Sequence, residues 1–216
     1  MDINLNNLTP DVRSIKDMEA VVYDKEWFIT APNADLYYMY RGIEEKNDIR
    51  YDITVVPAKM LGEEFVKTKG HYHMGKHPEV YTVLDGQSIY LMQKRKADSE
   101  NEIEDVYAVQ CQKGDVVVIP PDYGHITINP SPTNQLKMAN WISRECKSDY
   151  SLFEKFQGAC YYFIASQSQI KADVTQTNAD TKGIWVKNPN YQQVPELRFE
   201  KPLKEVPQDL DFLKVS

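Results

Sequence analysis

The sequence predicts an all-β fold, an antiparallel sandwich or barrel, on three observations. Runs rich in β-branched and aromatic residues recur from residue 34 to residue 129. Turn signals such as DG, KG and PPDYG separate them. No long helical pattern intervenes, which disfavours helix-linked parallel strands.

The elements follow in order. Thr9-Pro10 before DVRSIKDM reads as a capped helix start, with Thr9 at the cap, Pro10 in the first helical position and Asp11 in the first turn. A short N-terminal helix of about ten residues is predicted there. Strands are predicted at ADLYYMYRGI (34–43), YDITVVPAK (51–59), EVYTVLDG (79–86) and QSIYLMQK (87–94). Others are DVYAVQ (105–110), DVVVIP (115–120), HITIN (125–129) and LKMANWI (136–142). SDYSLFEKFQGACYYFIA reads as a short helix and then a strand. From about residue 187 the chain carries prolines 189, 195, 202 and 207 and many charges. That stretch reads as an extended arm wrapped on the body or partly disordered. The expected organisation is one domain over 1–190 with an extension over 191–216.

Composition bounds the function. The 216 residues are 42% hydrophobic and 11% aromatic, enough for a sizeable core. A net charge of −7 argues against nucleic acid or anionic membrane as a general partner. Three cysteines without a C-x-x-C pair give neither a disulfide scaffold nor a cysteine zinc site. The first twenty residues have no cationic start and no apolar run, unlike a signal peptide. No apolar stretch approaches the ~20 residues that span a bilayer. A cytoplasmic protein is the expectation.

One segment concentrates chemistry. TKGHYHMGKHPEVY, residues 68–81, holds three of the chain's four histidines and a glutamate. His71 and His73 are two apart, so on a strand both imidazoles share a face and can reach one ion. Glu79 follows a loop containing Gly75 and Pro78 that can return a carboxylate to them. His125 lies after a hydrophobic strand and a Pro-Pro turn. Two or three histidines with one carboxylate suit Fe²⁺, Mn²⁺, Zn²⁺ or Ni²⁺. An isolated H-x-H is more often a pair on a solvated loop, and His77, between Lys76 and Pro78, reads as exposed, with the alternative that it replaces Glu79 as a ligand.

The two segments resemble the paired motifs of the cupin superfamily. His71, Tyr72 and His73 are followed by five residues, Glu79, six residues and Gly86; Gly114 is followed by five residues and Pro120, then by His125, three residues and Asn129. Asp122 stands where a glycine is usual. YDITVVPAKMLGEEFVKTKGHYH, EVYTVLDGQ and VVVIPPDYGHITIN further resemble the cupin-type glucose-6-phosphate isomerases of archaea and some bacteria, as do TPDVRSIKDM and LYYMYRGI. The likeness covers roughly residues 8–190, and the His73–Glu79 gap is one residue shorter than in archaeal members.

That resemblance implies a jelly-roll-like cupin barrel binding one divalent ion, Fe²⁺ before Mn²⁺, Zn²⁺ or Ni²⁺, through His71, His73, Glu79 and His125. It implies a sugar-phosphate substrate and a homodimer, with Glu79 as ligand and base. Tyr81 and Tyr150 complete the expected catalytic set, though Tyr81 reads equally as core. Thr54, Thr68, Gly70 and Tyr150 match positions that hold the substrate phosphate. Strict alternation would put Thr68 and Gly70 on the face opposite His71 and His73, so a bulge at Lys69-Gly70 is needed. Lys67 and Lys69 read alternatively as ordinary surface charges. The competing function is a cupin that binds metal but is not an isomerase, either a sugar-binding protein or a dioxygenase-like enzyme.

Overall fold

The computed structural model describes residues 3–166 and 183–214. The predicted domain's residues 167–182 lie outside the described residues. The first half holds β1 (Asp11–Ser14), a helix α1 (Lys25–Thr30), β2 (Asp35–Lys46), β3 (Ile49–Val56), β4 (Met60–Leu61) and β5 (Glu64–Phe65). β6 (Tyr72–Met74), β7 (Glu79–Asp85), β8 (Gln87–Arg95) and β9 (Ile103–Gln112) follow. Then come β10 (Val116–Ile119), β11 (Tyr123–Ile128), β12 (Leu136–Ser143) and β13 (Lys147–Asp149). The rest is α2 (Ser151–Lys155), β14 (Tyr161–Ala165), β15 (Gly183–Lys187) and β16 (Arg198–Glu200).

A six-stranded sheet in the order β1-β2-β3-β12-β7-β10 faces a four-stranded sheet in the order β11-β8-β9-β16. Inward residues of both, among them Val83, Met138, Leu91 and Ile126, meet in one core. Every pairing within these two sheets is antiparallel except β16 on β9. This is the all-β, mainly antiparallel two-sheet arrangement that the strand pattern and turns predict. Burial of apolar side chains between two sheets drives it.

The N-terminal helix is not where the cap signal placed it. Asp11–Ser14 is a strand, with Val12 opposite Tyr38 on the edge of β2. Edge pairing satisfies more backbone groups there than a short isolated helix would. The local capping chemistry acts later instead. Asp17 accepts from the Ser14 amide and hydroxyl at 2.7 and 2.8 Å around a single 3₁₀ turn. The short helix of this region is α1, capped by Asp24, whose Oδ1 accepts from the Trp27 amide at 2.9 Å.

The chain's last stretch touches both sheets. β16 runs parallel to β9, with Arg198 opposite Tyr107. Leu203 exchanges backbone hydrogen bonds with Val116 of β10. Leu213 is buried against Ile49, Val80 and Val116 on the outer face of the six-stranded sheet.

Candidate metal centre and adjoining cavity

The strand carrying the first two histidines is broken as alternation required. Lys67 bridges Ile128 and His71 bridges His125. Four steps on one strand therefore oppose three on the other, which is a one-residue bulge. Gly70 sits in it at φ +84°, and a Cβ there would meet Ile126 Cγ2 at 2.5 Å and Phe153 Cδ1 at 2.6 Å. No other residue fits. The bulge brings Thr68, Gly70 and His71 to one cavity with Thr54, Glu79, Tyr81, His125 and Tyr150. Asp122, at φ +67°, occupies the left-handed turn that explains the usual glycine, and Asp tolerates that region better than most residues.

His71, His73, Glu79 and His125 converge, each offering a ligand atom within 4.8 Å of the others. Bonds of about 2.0–2.2 Å to one ion would draw that spread in slightly. His73 Nε2 and His125 Nε2 lie 3.4 and 3.3 Å from Glu79 Oε2. All three atoms are buried without a hydrogen-bond partner. Buried polar atoms rarely go unpaired, and these are donor atoms of the type a divalent ion takes. The residues fit a metal.

The surroundings orient the set. His73 Nδ1–H donates to the His77 carbonyl at 2.6 Å, which leaves the Nε2 lone pair for an ion. His77 thus supports the site with its backbone and stays outside the convergent group. Its side chain is half-buried, contrary to the exposure expected from the loop. Burial opposes ionisation of Glu79, but the imidazoles of His125 and His73 outweigh it and hold the carboxyl well below the usual range. Burial pushes His71 and His125 down, towards the neutral form that ligates. Burial, and then the neighbouring Glu79 carboxylate, push Tyr81 well up, so its hydroxyl stays protonated. Tyr81 is buried in the core and also lines the cavity.

Beside the His₃Glu group the cavity turns cationic. The Tyr150 ring lies 5.4 Å from that of His71, with the Arg13 guanidinium 5.5 Å and Lys69 Nζ 5.7 Å from its centre. Thr68 Oγ1 accepts from the Thr127 amide at 2.9 Å, leaving its own O–H to donate. Lys69 is no plain surface charge: it lines the cavity and pairs with Glu154 at 2.6 Å. Nor is Lys67, which is 1% exposed. Lys67 bonds to Glu64 and donates to the Val21 carbonyl at 2.9 Å, a structural anchor.

Several cavity residues escape sequence reasoning. Tyr37, Arg41, Arg50 and Asn140 all line it.

Two facing, mainly antiparallel sheets with a convergent His₃Glu group define an all-β protein with a candidate metal site. A sequence model of the family described as glucose-6-phosphate isomerase matches residues 12–181, and the chain belongs to that family. It is 30% identical over 131 residues to the glucose-6-phosphate isomerase of Thermococcus litoralis, covering 58% of this chain and 65% of that protein. It is 31% identical over 124 residues to that of Pyrococcus furiosus, covering 55% and 62%. The chain thus spans just under two thirds of these relatives' length. Among solved structures, the Lactobacillus farciminis oxalate decarboxylase formate complex matches 64% of this chain and 32% of that one. Its 17% identity and TM-score of 0.40 are too low to carry an argument.

Proposed function

We propose that the protein is a metal-dependent aldose–ketose isomerase that interconverts glucose 6-phosphate and fructose 6-phosphate. The observation that carries the reading is the juxtaposition, in one cavity, of the His₃Glu group with Thr54, Thr68, Gly70 and Tyr150. The names of the relatives support the same substrate pair.

His71, His73, Glu79 and His125 hold the ion, which is Fe²⁺, with Mn²⁺, Zn²⁺ and Ni²⁺ able to fill the same donor set. When bound, a divalent ion supplies Lewis acidity towards the oxygens at C1 and C2. Thr68 donates its free O–H to the phosphate, with the Thr54 hydroxyl, the Gly70 amide and Tyr150 beside it. Lys69 and Arg13 add positive charge at that end. Fixing the phosphate sets the distance to the reacting carbons. Glu79, ionised and buried, takes and returns the proton exchanged between C1 and C2. Tyr81 keeps its hydroxyl proton and can donate it to a substrate oxygen.

Residues 1–190 form the catalytic domain and 191–216 an extension to it. The working unit is a homodimer, because β1 is an outer edge whose Val12 is 45% exposed and an open edge favours pairing, and the expected compartment is the cytoplasm. No helix among the described residues is long and apolar enough to cross a membrane.

A coupled assay of fructose 6-phosphate conversion without oxygen, run on the wild type and on Thr54→Val with Thr68→Val, tests this. Turnover should persist anaerobically, since an isomerase consumes no oxygen. Each lost hydrogen bond to a charged oxygen is worth ~1.5–3 kcal/mol, so the double variant should lose at least about tenfold in substrate and inorganic phosphate affinity. Metal content should stay unchanged. Oxygen-dependent turnover, or an unaltered double variant, would instead favour a cupin of another substrate.

A further inference from the structure

Asn140 stands in the middle of β12, opposite Asp52 of β3 on one side and Tyr81 of β7 on the other. Met138, Asn140 and Ile142 line the same cavity, so the strand presents one amide between two apolar neighbours. That amide is 6% exposed, and its Nδ2 donates to Glu79 Oε1 at 2.7 Å. The other carboxylate oxygen, Oε2, faces His73 and His125 with no hydrogen-bond donor. The two oxygens of Glu79 are therefore in different company.

We infer that Asn140 is a positioning residue that fixes the rotation of the Glu79 carboxylate, presenting Oε2 alone to the ion and keeping Oε1 turned away from it. The inference rests on the metal-site reading above. The terminal torsion of a glutamate is broad and roughly two-fold, so the side chain itself does not choose between one-oxygen and two-oxygen contact with a cation. A donor on one oxygen makes the choice. Asn140 can make it firmly because β12 is hydrogen-bonded along both edges, to β3 and to β7. Tyr81 is directly across and Glu79 one step diagonal, a reach that a short amide spans. An apolar residue at 140 would fill the same space as Met138 and Ile142 do, and would leave Oε1 undirected. A carboxylate clamped through both oxygens has none left for a proton at a substrate carbon, whereas one held through Oε2 keeps Oε1 for that task.

Titration of the metal-free protein with Co²⁺, followed by the visible absorption of the bound ion, tests the inference in the wild type, Asn140→Ala and Asn140→Leu. Leu keeps the volume and removes the donor, so it separates loss of the hydrogen bond from loss of packing. Both variants should bind Co²⁺ about 10–100-fold more weakly, the usual loss when a partner orienting a ligand is removed. Both should shift the visible bands as the carboxylate turns to engage with two oxygens. A purely structural asparagine would lower the melting temperature without moving the bands. Wild-type bands and affinity in either folded variant overturn the inference. A wild type that binds Co²⁺ but converts no sugar phosphate overturns the isomerase reading alone, and a wild type that binds no Co²⁺ overturns both.

Discussion

Glu79 is buried to 2% exposure and lies among three imidazoles, and the sequence distance to its partners hides how differently they act on it. His73 and His125 make its ionised form favourable in a place where burial alone would neutralise it. Under the proposed function Glu79 has to be ionised when substrate arrives, and the neighbouring imidazoles hold it on that side. Glu79→Gln should keep part of its metal, because an amide oxygen coordinates weakly, and should lose about 10²–10⁴-fold in turnover. Metal analysis beside steady-state kinetics checks this; an active Gln variant would move the base to Tyr81. At this scale the convergent His₃Glu group was legible because histidines and a glutamate at strand spacing have few other uses. Asn140 and Arg41 were not, because a single amide or guanidinium on a strand has no spacing that marks it. Their meaning comes from cross-strand neighbours far away in the chain.

The segment from Val66 to His71 is a unit in which each residue has a different assignment. Lys67 turns outward from the site and is tied to Glu64, the Val21 carbonyl and the ring of Tyr162, 5.0 Å away. Thr68 faces the cavity, and Gly70 supplies the bulge that makes both placements possible. Lys67→Met should therefore destabilise the protein by ~3–5 kcal/mol, because it leaves the Glu64 carboxylate buried and unpaired. Pairing it with Glu64→Leu should restore most of that loss, since a buried ion pair replaced by apolar volume is often neutral. Thermal melting of the two variants decides it, and equal melting points would mean that Lys67 carries no buried charge. The bulge was readable, because alternation and the required facing of Thr68 conflict without it. Lys67 was not readable as a core residue, because lysine is almost always exposed and the Val21 carbonyl to which it donates lies far back in the chain. The misplaced N-terminal helix has the same origin. Thr9-Pro10 is a sound local signal, and a β2 edge formed more than twenty residues later overrides it.

At the scale of the whole molecule, two sheets hold the site by their inner faces, and the last residues lie across edges that would otherwise be open. The strand pattern from 34 to 142 carried the architecture, since every one of those segments is a strand in the structure. The tail was harder to read because its contacts are single residues, Leu203 on β10 and Leu213 in a small outer core, set among prolines and charges. Under the proposed function, four residues from three strand segments and a loop hold one divalent ion on which isomerisation depends. Stripping the protein with a chelator and refilling it with single divalent ions, while following fructose 6-phosphate conversion and bound metal, tests that most directly. The stripped protein should be inactive and one equivalent of a suitable ion should restore turnover. His125→Ala should retain neither metal nor activity under the same treatment, while His77→Ala behaves like the wild type. Full activity in the stripped protein, or metal loss from His77→Ala but not from His125→Ala, would contradict the account.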